Sequence, residues 1–173
     1  MRVLPWPWLV GGLAVGLLLL TPSKARARPA ATSLDVEDDL ELLQPGFRSK
    51  VRTLISRMNA RGFDAVVFET WRSRARNKVL SDRGTGISPN ADGSVPVGMH
   101  ELGLAVDVIS RSKQWGPGQA FWTALGQEAQ KLGLNWGGTW SDPDLPHVQA
   151  VPPAKQNEMR ARFQKYGYDG VET

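Results

Sequence analysis

The chain has 173 residues, with 21 Lys and Arg, 17 Asp and Glu, two His and no Cys. That length suits one compact domain with extensions, and the absence of cysteine excludes disulfides, thiolate zinc sites, iron–sulfur clusters and a Cys nucleophile. The net charge of +4 comes from Arg2, Lys24, Arg26 and Arg28; taking these from 21 leaves 17 basic residues against 17 acidic ones, a balance without the field that draws proteins to nucleic acid.

From Val3 to Ser23 no residue is charged, and Leu9 to Leu20 is apolar or Gly throughout. Arg2 gives a positive start and Ala25-Arg26-Ala27 an A-x-A cleavage candidate, the pattern of a secretory signal peptide over residues 1–27. A membrane anchor is the alternative reading. Pro5, Pro7, Gly11, Gly12 and Gly16 weaken it as a span, and Lys24, Arg26 and Arg28 oppose an N-terminus-in orientation. The leader therefore points to export, with a membrane anchor as the alternative.

Residues 28–43 are polar and acidic and read as a linker, which leaves 44–173 for the domain. Pro45 suits a first helical turn, and Phe47, Val51, Leu54, Ile55 and Met58 follow at helical spacing up to Arg61-Gly62. Ala65 to Phe68 reads as a short strand and Arg74 to Ser81 as a second helix. Asp82 to Gly98 holds four Gly and two Pro, a loop of the length that is usually functional or disordered. Leu104 to Ile109 reads as a strand and Gln119 to Lys131 as a helix stopped by Gly133. Leu134 to Trp136 and Pro146 to Ala150 read as short strands around Gly137-Gly138, before a C-terminal helix from about Ala154 to Tyr166. Mixed helices and short strands indicate an α+β domain. Nothing suggests more than a monomer.

With two histidines, any imidazole chemistry runs through His100 and His147. Asp107 stands among apolar residues on a strand, where a carboxylate is costly unless a cation or metal pairs with it. An ion pair with one of the many arginines would satisfy it equally well. His100-Glu101-Leu102-Gly103-Leu104 invites comparison with the HExxH helix but ends in Leu and contains Gly, so Glu101 reads as a solvated side chain. Asp144 lies three residues before His147. Strict alternation would put the two on opposite faces, so a bend at Pro146 is required. Together, two His and one Asp satisfy a catalytic zinc site, which has three protein ligands and an open position.

The stretch His100-Glu101-Leu102-Gly103-Leu104-Ala105-Val106-Asp107 resembles the HxxGxAxD signature of the peptidoglycan zinc peptidases. That family includes VanY-like D-alanyl-D-alanine carboxypeptidases and L-alanyl-D-glutamate endopeptidases. Leu132 to Trp140, followed by Asp144-Leu145-Pro146-His147-Val148-Gln149, is similar to its LGxxWGGxW…DxPHxQ stretch, closer to the endopeptidase branch. Thr70-Trp71-Arg72-Ser73 resembles its TxRS segment. The resemblance implies one zinc ion held by His100, Asp107 and His147, with Asp144 as general base and Arg72 steadying the substrate carbonyl. It implies a single α+β domain, a small central antiparallel sheet flanked by helices, with the zinc in a cleft. The implied substrate is the stem peptide of peptidoglycan, cut as an endopeptidase; a D-alanyl-D-alanine carboxypeptidase or a non-catalytic zinc-containing wall-binding domain are the alternatives. Trp136 and Trp140 divide evenly between packing and cleft wall. Two positions depart from the family pattern: Gly98 replaces the usual Ser, and Arg76-Asn77 the usual Arg-Gln.

Overall fold

The computed structural model describes residues 28–171, so the leader, read as an export signal or anchor, lies outside the described residues. Four helices, α1 (Pro45–Ala60), α2 (Arg74–Asp82), α3 (Gln119–Lys131) and α4 (Gln156–Tyr166), accompany four strands. The strands are β1 (Ala65–Glu69), β2 (Ala105–Ser110), β3 (Asn135–Trp136) and β4 (His147–Gln149). They form one sheet in the order β1-β2-β4-β3, every neighbouring pair antiparallel. The expected α+β class and the central antiparallel sheet are both present. No helix among the described residues is long and apolar enough to cross a membrane.

The helical spacing in α1 turns Phe47, Val51, Leu54 and Met58 inward, where they meet Phe121, Leu125 and Ala129 of α3. Both helices cover the sheet face formed by Val106, Val108 and Val148. Side chains alternate along a strand, so Asp107, His147 and Gln149 project from the opposite face. Leu104 sits just before β2 and belongs to a second cluster with Met99, Leu102, Ala105 and Met159.

The segment 28–43, expected as a linker, is tied along the domain. Thr70 N–H donates to the Glu37 carbonyl at 2.6 Å and Ala75 N–H to the Ala31 carbonyl at 3.1 Å. Leu42 and Leu43 are buried. The stretch ends in a single 3-10 turn, Leu40–Leu42, and is held by side chains as well as by its backbone: Glu41 pairs with Arg48 and Arg52, and Arg28 lies over the Tyr168 ring.

Candidate metal centre

Register brings the first two site residues together. Asp107 on β2 lies directly opposite His147 on β4, and opposite Glu69 on β1. A bulge between Val67 and Glu69 matters here: Val67 pairs with Val108 on the core face, whereas Glu69, two residues on, pairs with Asp107. One extra residue in a strand re-aims the side chains after it, so Glu69 joins the site face. His100 comes from the turn before β2. That turn needs Gly103, whose φ of +70° and close approach to the Leu42 carbonyl leave no room for a Cβ.

Three donor atoms form a nearly equilateral triangle. His100 Nε2 lies 3.3 Å from His147 Nδ1 and 3.4 Å from Asp107 Oδ1, and His147 Nδ1 lies 3.3 Å from Asp107 Oδ1. A four-coordinate ion with bonds of ~2.0–2.1 Å spaces its donors ~3.3–3.4 Å apart, so the triangle fits a metal ion without rearrangement. The remaining ring nitrogens support the same reading. His100 Nδ1–H donates to the Thr70 carbonyl at 2.8 Å, and His147 Nε2–H donates to Gln149 Oε1 at 3.1 Å. Each carbonyl-type acceptor fixes the tautomer that leaves a lone pair facing the triangle. All three residues are buried.

Arg72 flanks the triangle. Its Nε and Nη2 donate to Glu69 Oε2 at 3.1 and 2.6 Å, and Nη2 also reaches Asp107 Oδ2 at 3.3 Å. Among the described residues Nη1 has no hydrogen-bond partner. Glu69 holds Arg76 through its other oxygen at 2.6 Å. Among the described residues this makes a buried carboxylate clamp for two cleft arginines.

Asp144 is placed by a turn. His147 N–H donates to the Asp144 carbonyl at 3.2 Å, closing the chain through Leu145-Pro146, and this is the bend that the alternation argument requires. Asp144 Oδ2 thereby comes to 3.9 Å from His147 Nδ1 while half of its side chain stays exposed. Gly137 receives this turn: its carbonyl accepts from Asp144 N–H at 3.1 Å, and a Cβ on Gly137 would run into the Asp144 carbonyl. Of the two tryptophans, Trp136 packs with the core cluster. Trp140 lies in the cleft wall with its ring centroid 5.1 Å from that of His147.

Electrostatics follow from these contacts. Burial alone would raise the Asp107 pKa, but His100 and His147 hold it well below the usual carboxylate range. Burial would likewise lower His147, yet Asp107, followed by Asp144, raises it. Desolvation in the cleft wall pushes Asp144 up, against the pull of His147. Glu69 is lowered despite burial because Arg72 lies against it.

Glu101 corrects one expectation. It is buried, not solvated: Oε1 accepts from Asn77 Nδ2 at 2.6 Å, from Gly98 N–H at 3.1 Å and from Arg74 Nη1 at 3.3 Å. It is a structural carboxylate that fixes the loop ahead of His100. The two departures from the family pattern meet at this place. A Cβ on Gly98 would lie 2.8 Å from Ile87 Cδ1 and 3.5 Å from Asn77 Nδ2, so Ile87 covers the spot that a serine side chain would occupy. Glu69, Thr70 and Gln149 are the site residues that the sequence reading assigned no role; the signal for them was adjacency, to Arg72 and to His147.

Residues 92–150, the span that carries His100, Asp107, Asp144 and His147, match the family model described as D-alanyl-D-alanine carboxypeptidase. Over that span, about a third of the chain, the sequence is similar to this peptidase family. The His100, Asp107 and His147 group inside it could hold a metal ion. The fold agrees with solved structures. The Serratia marcescens L-Ala D-Glu endopeptidase ChiX is 22% identical, over 79% of this chain and 92% of its own, with a TM-score of 0.50. VanYB in complex with D-Alanine-D-Alanine is 14% identical, over 82% of this chain and 89% of its own, also with a TM-score of 0.50. No curated protein matches the chain by sequence.

Proposed function

We propose that the chain is a zinc-dependent endopeptidase that cuts the L-alanyl-D-glutamate bond in the stem peptide of peptidoglycan. The observation that carries this reading is the triangle of His100 Nε2, Asp107 Oδ1 and His147 Nδ1, with edges of 3.3–3.4 Å and with Asp144 and Arg72 beside it. Two imidazoles and a carboxylate are a donor set that suits zinc. Bound there, zinc supplies Lewis acidity and an acidified water at neutral pH.

The chain's own residues do the remaining work. Asp144, exposed to the cleft and clear of the triangle, accepts the proton of the attacking water on its carboxylate and returns it to the leaving amine. Arg72 offers its unpaired Nη1 to the carbonyl oxygen as negative charge develops there, a contribution of ~10²-fold or more when the donor is fixed in advance. Glu69 and Asp107 fix it. Thr70 and Gln149 keep the imidazoles in the donor tautomer. The cleft has a volume of about 820 Å³, within the range of small-molecule sites and with space for peptide beyond the scissile pair.

A D-alanyl-D-alanine carboxypeptidase using the same residues is the second reading, favoured by the description of the matching family model. Mass spectrometry of peptidoglycan fragments after incubation with the purified protein, with and without chelator, separates the two. A chelator-sensitive cut between L-Ala and D-Glu supports the endopeptidase, and loss of a terminal D-Ala supports the carboxypeptidase. Intact fragments would support a zinc-containing wall-binding domain without catalysis. We assign residues 1–27 to export, so that the 44–173 domain meets its substrate in the periplasm or cell wall. Membrane contact is then confined to an uncleaved leader, and the protein acts as a monomer. Cell fractionation with N-terminal sequencing tests this.

A further inference from the structure

Three arginines line the cleft: Arg72, Arg76 and Arg160. Two are neutralised, Arg72 by Glu69 and Asp107 and Arg76 by Glu69. Arg160, on α4, is different. Among the described residues no carboxylate comes within ion-pair distance of it, and its partners are all neutral. Nε–H donates to the Val97 carbonyl at 2.7 Å, Nη1 to Asn157 Oδ1 at 2.7 Å and Nη2 to Gln156 Oε1 at 3.2 Å. A guanidinium has five N–H groups, so one on each terminal nitrogen is unmatched.

This arginine is held in place as well as unpaired. Its Gln156 contact continues to Gln149 Oε1 at 3.2 Å and from there to His147, so a chain of three hydrogen bonds ties the guanidinium to the triangle. Partial burial lowers its pKa from the ordinary arginine value, against the weaker pull of Glu101, which is beyond ion-pair distance. Arginine stays protonated all the same. A fixed, partly desolvated guanidinium with two free donors matches a carboxylate taken bidentately.

We propose that Arg160 is the carboxylate-binding subsite of this cleft, and that it selects peptides carrying a free carboxylate there. The proposal rests on the peptidase reading for its substrate, because a stem peptide has two carboxylates to offer. One is the free carboxylate of the D-glutamyl residue, beside an L-Ala–D-Glu cut. The other is the C-terminal carboxylate, beside a D-Ala–D-Ala cut. The chemistry is shared, and the carboxylate that Arg160 holds sets which bond is presented.

The probe is the pentapeptide L-Ala-γ-D-Glu-L-Lys-D-Ala-D-Ala, compared with the same peptide amidated at the glutamyl carboxylate and with the same peptide amidated at the C-terminus. Binding is read by tryptophan fluorescence in an Asp144→Ala background, and kcat/KM in the native protein. Amidating one of the two carboxylates should weaken binding and lower kcat/KM about tenfold, and the sensitive one names the source. Arg160→Gln should erase that preference and Arg160→Lys should recover part of it, with zinc content and Tm confirming the fold of each variant. If Arg160→Gln does not fold, the native amide series and Arg160→Lys still decide. A native protein indifferent to both amidations, or an Arg160→Gln protein that keeps the native preference, overturns the proposal. If binding discriminates but no peptide is cut, the peptidase reading fails and the subsite stands. Cleavage without discrimination gives the reverse.

Discussion

Replacing Gln149 with Leu tests whether the outer hydrogen bonds govern the metal site. Gln149 is 1% exposed, so water cannot substitute for its side chain. Its Oε1 accepts from two donors, His147 Nε2 and Gln156 Nε2. Gln156 is only half-buried and can turn to solvent, but the imidazole N–H is buried and is left with no acceptor. An orphaned buried donor costs ~1–3 kcal/mol. The ring can escape that cost by moving its proton to Nδ1, which removes the lone pair from the triangle. Zinc affinity should therefore fall by ~10–100-fold, equivalent to ~1.4–2.8 kcal/mol. Gln149→Glu, which keeps an acceptor, should retain affinity. Competition titration against a chelating dye measures both variants. Gln149→Leu affinity within about twofold of native, well under 1 kcal/mol, would refute the tautomer argument.

Other consequences are equally measurable. Glu69→Ala leaves Arg72 and Arg76 without their shared buried carboxylate and should cost ~3–5 kcal/mol in denaturant unfolding, or about 10 °C in Tm. Asp144→Ala should lower hydrolysis by ~10²–10⁴-fold while zinc content by elemental analysis is unchanged; an active variant would remove Asp144 from the mechanism. Asp64 accepts from Ser110 Oγ at 2.6 Å and Ser112 N–H at 2.7 Å, and hydrogen bonds from Ser110 and then Ser112 lower its pKa to about 2. Because the folded pKa is depressed, its stabilisation is present above the unfolded value of ~3.9 and is lost as pH falls through that value toward the folded one. The stability difference between the native protein and Asp64→Asn should thus shrink across that acid window and be flat above it.

Much of the fold was legible because its signals are local. The bounds of α1 and α3 follow from apolar spacing together with Pro45 and Gly133. The convergence of His100, Asp107 and His147 was legible for another reason. With two histidines in the whole chain, and one acid on an otherwise apolar strand, few combinations could form a metal site. What escaped was set by tertiary context. The fate of Glu101 depended on Asn77 and Arg74, residues 24 and 27 positions away in sequence. The role of Glu69 depended on a bulge, because plain alternation from Val67 would have placed it on the core face. Residues 28–43 looked like a linker since many of their ties to the domain run through backbone carbonyls, which composition does not report.

The bulge and the turn perform the same task from opposite edges of β2. Without the extra residue in β1, Glu69 would face the helices and Arg72 would have only Asp107 to hold it. That would draw charge from a donor set in which Asp107 must remain anionic. Without the Asp144–His147 turn, a carboxylate three residues before a strand histidine would point away from it. Both devices break the period of two at the place where it would have sent a functional side chain to the wrong face. They leave it intact at Val106, Val108 and Val148, where the core needs it. The candidate site of this domain thus depends on two local violations of strand regularity, a bulge in β1 and a turn before β4.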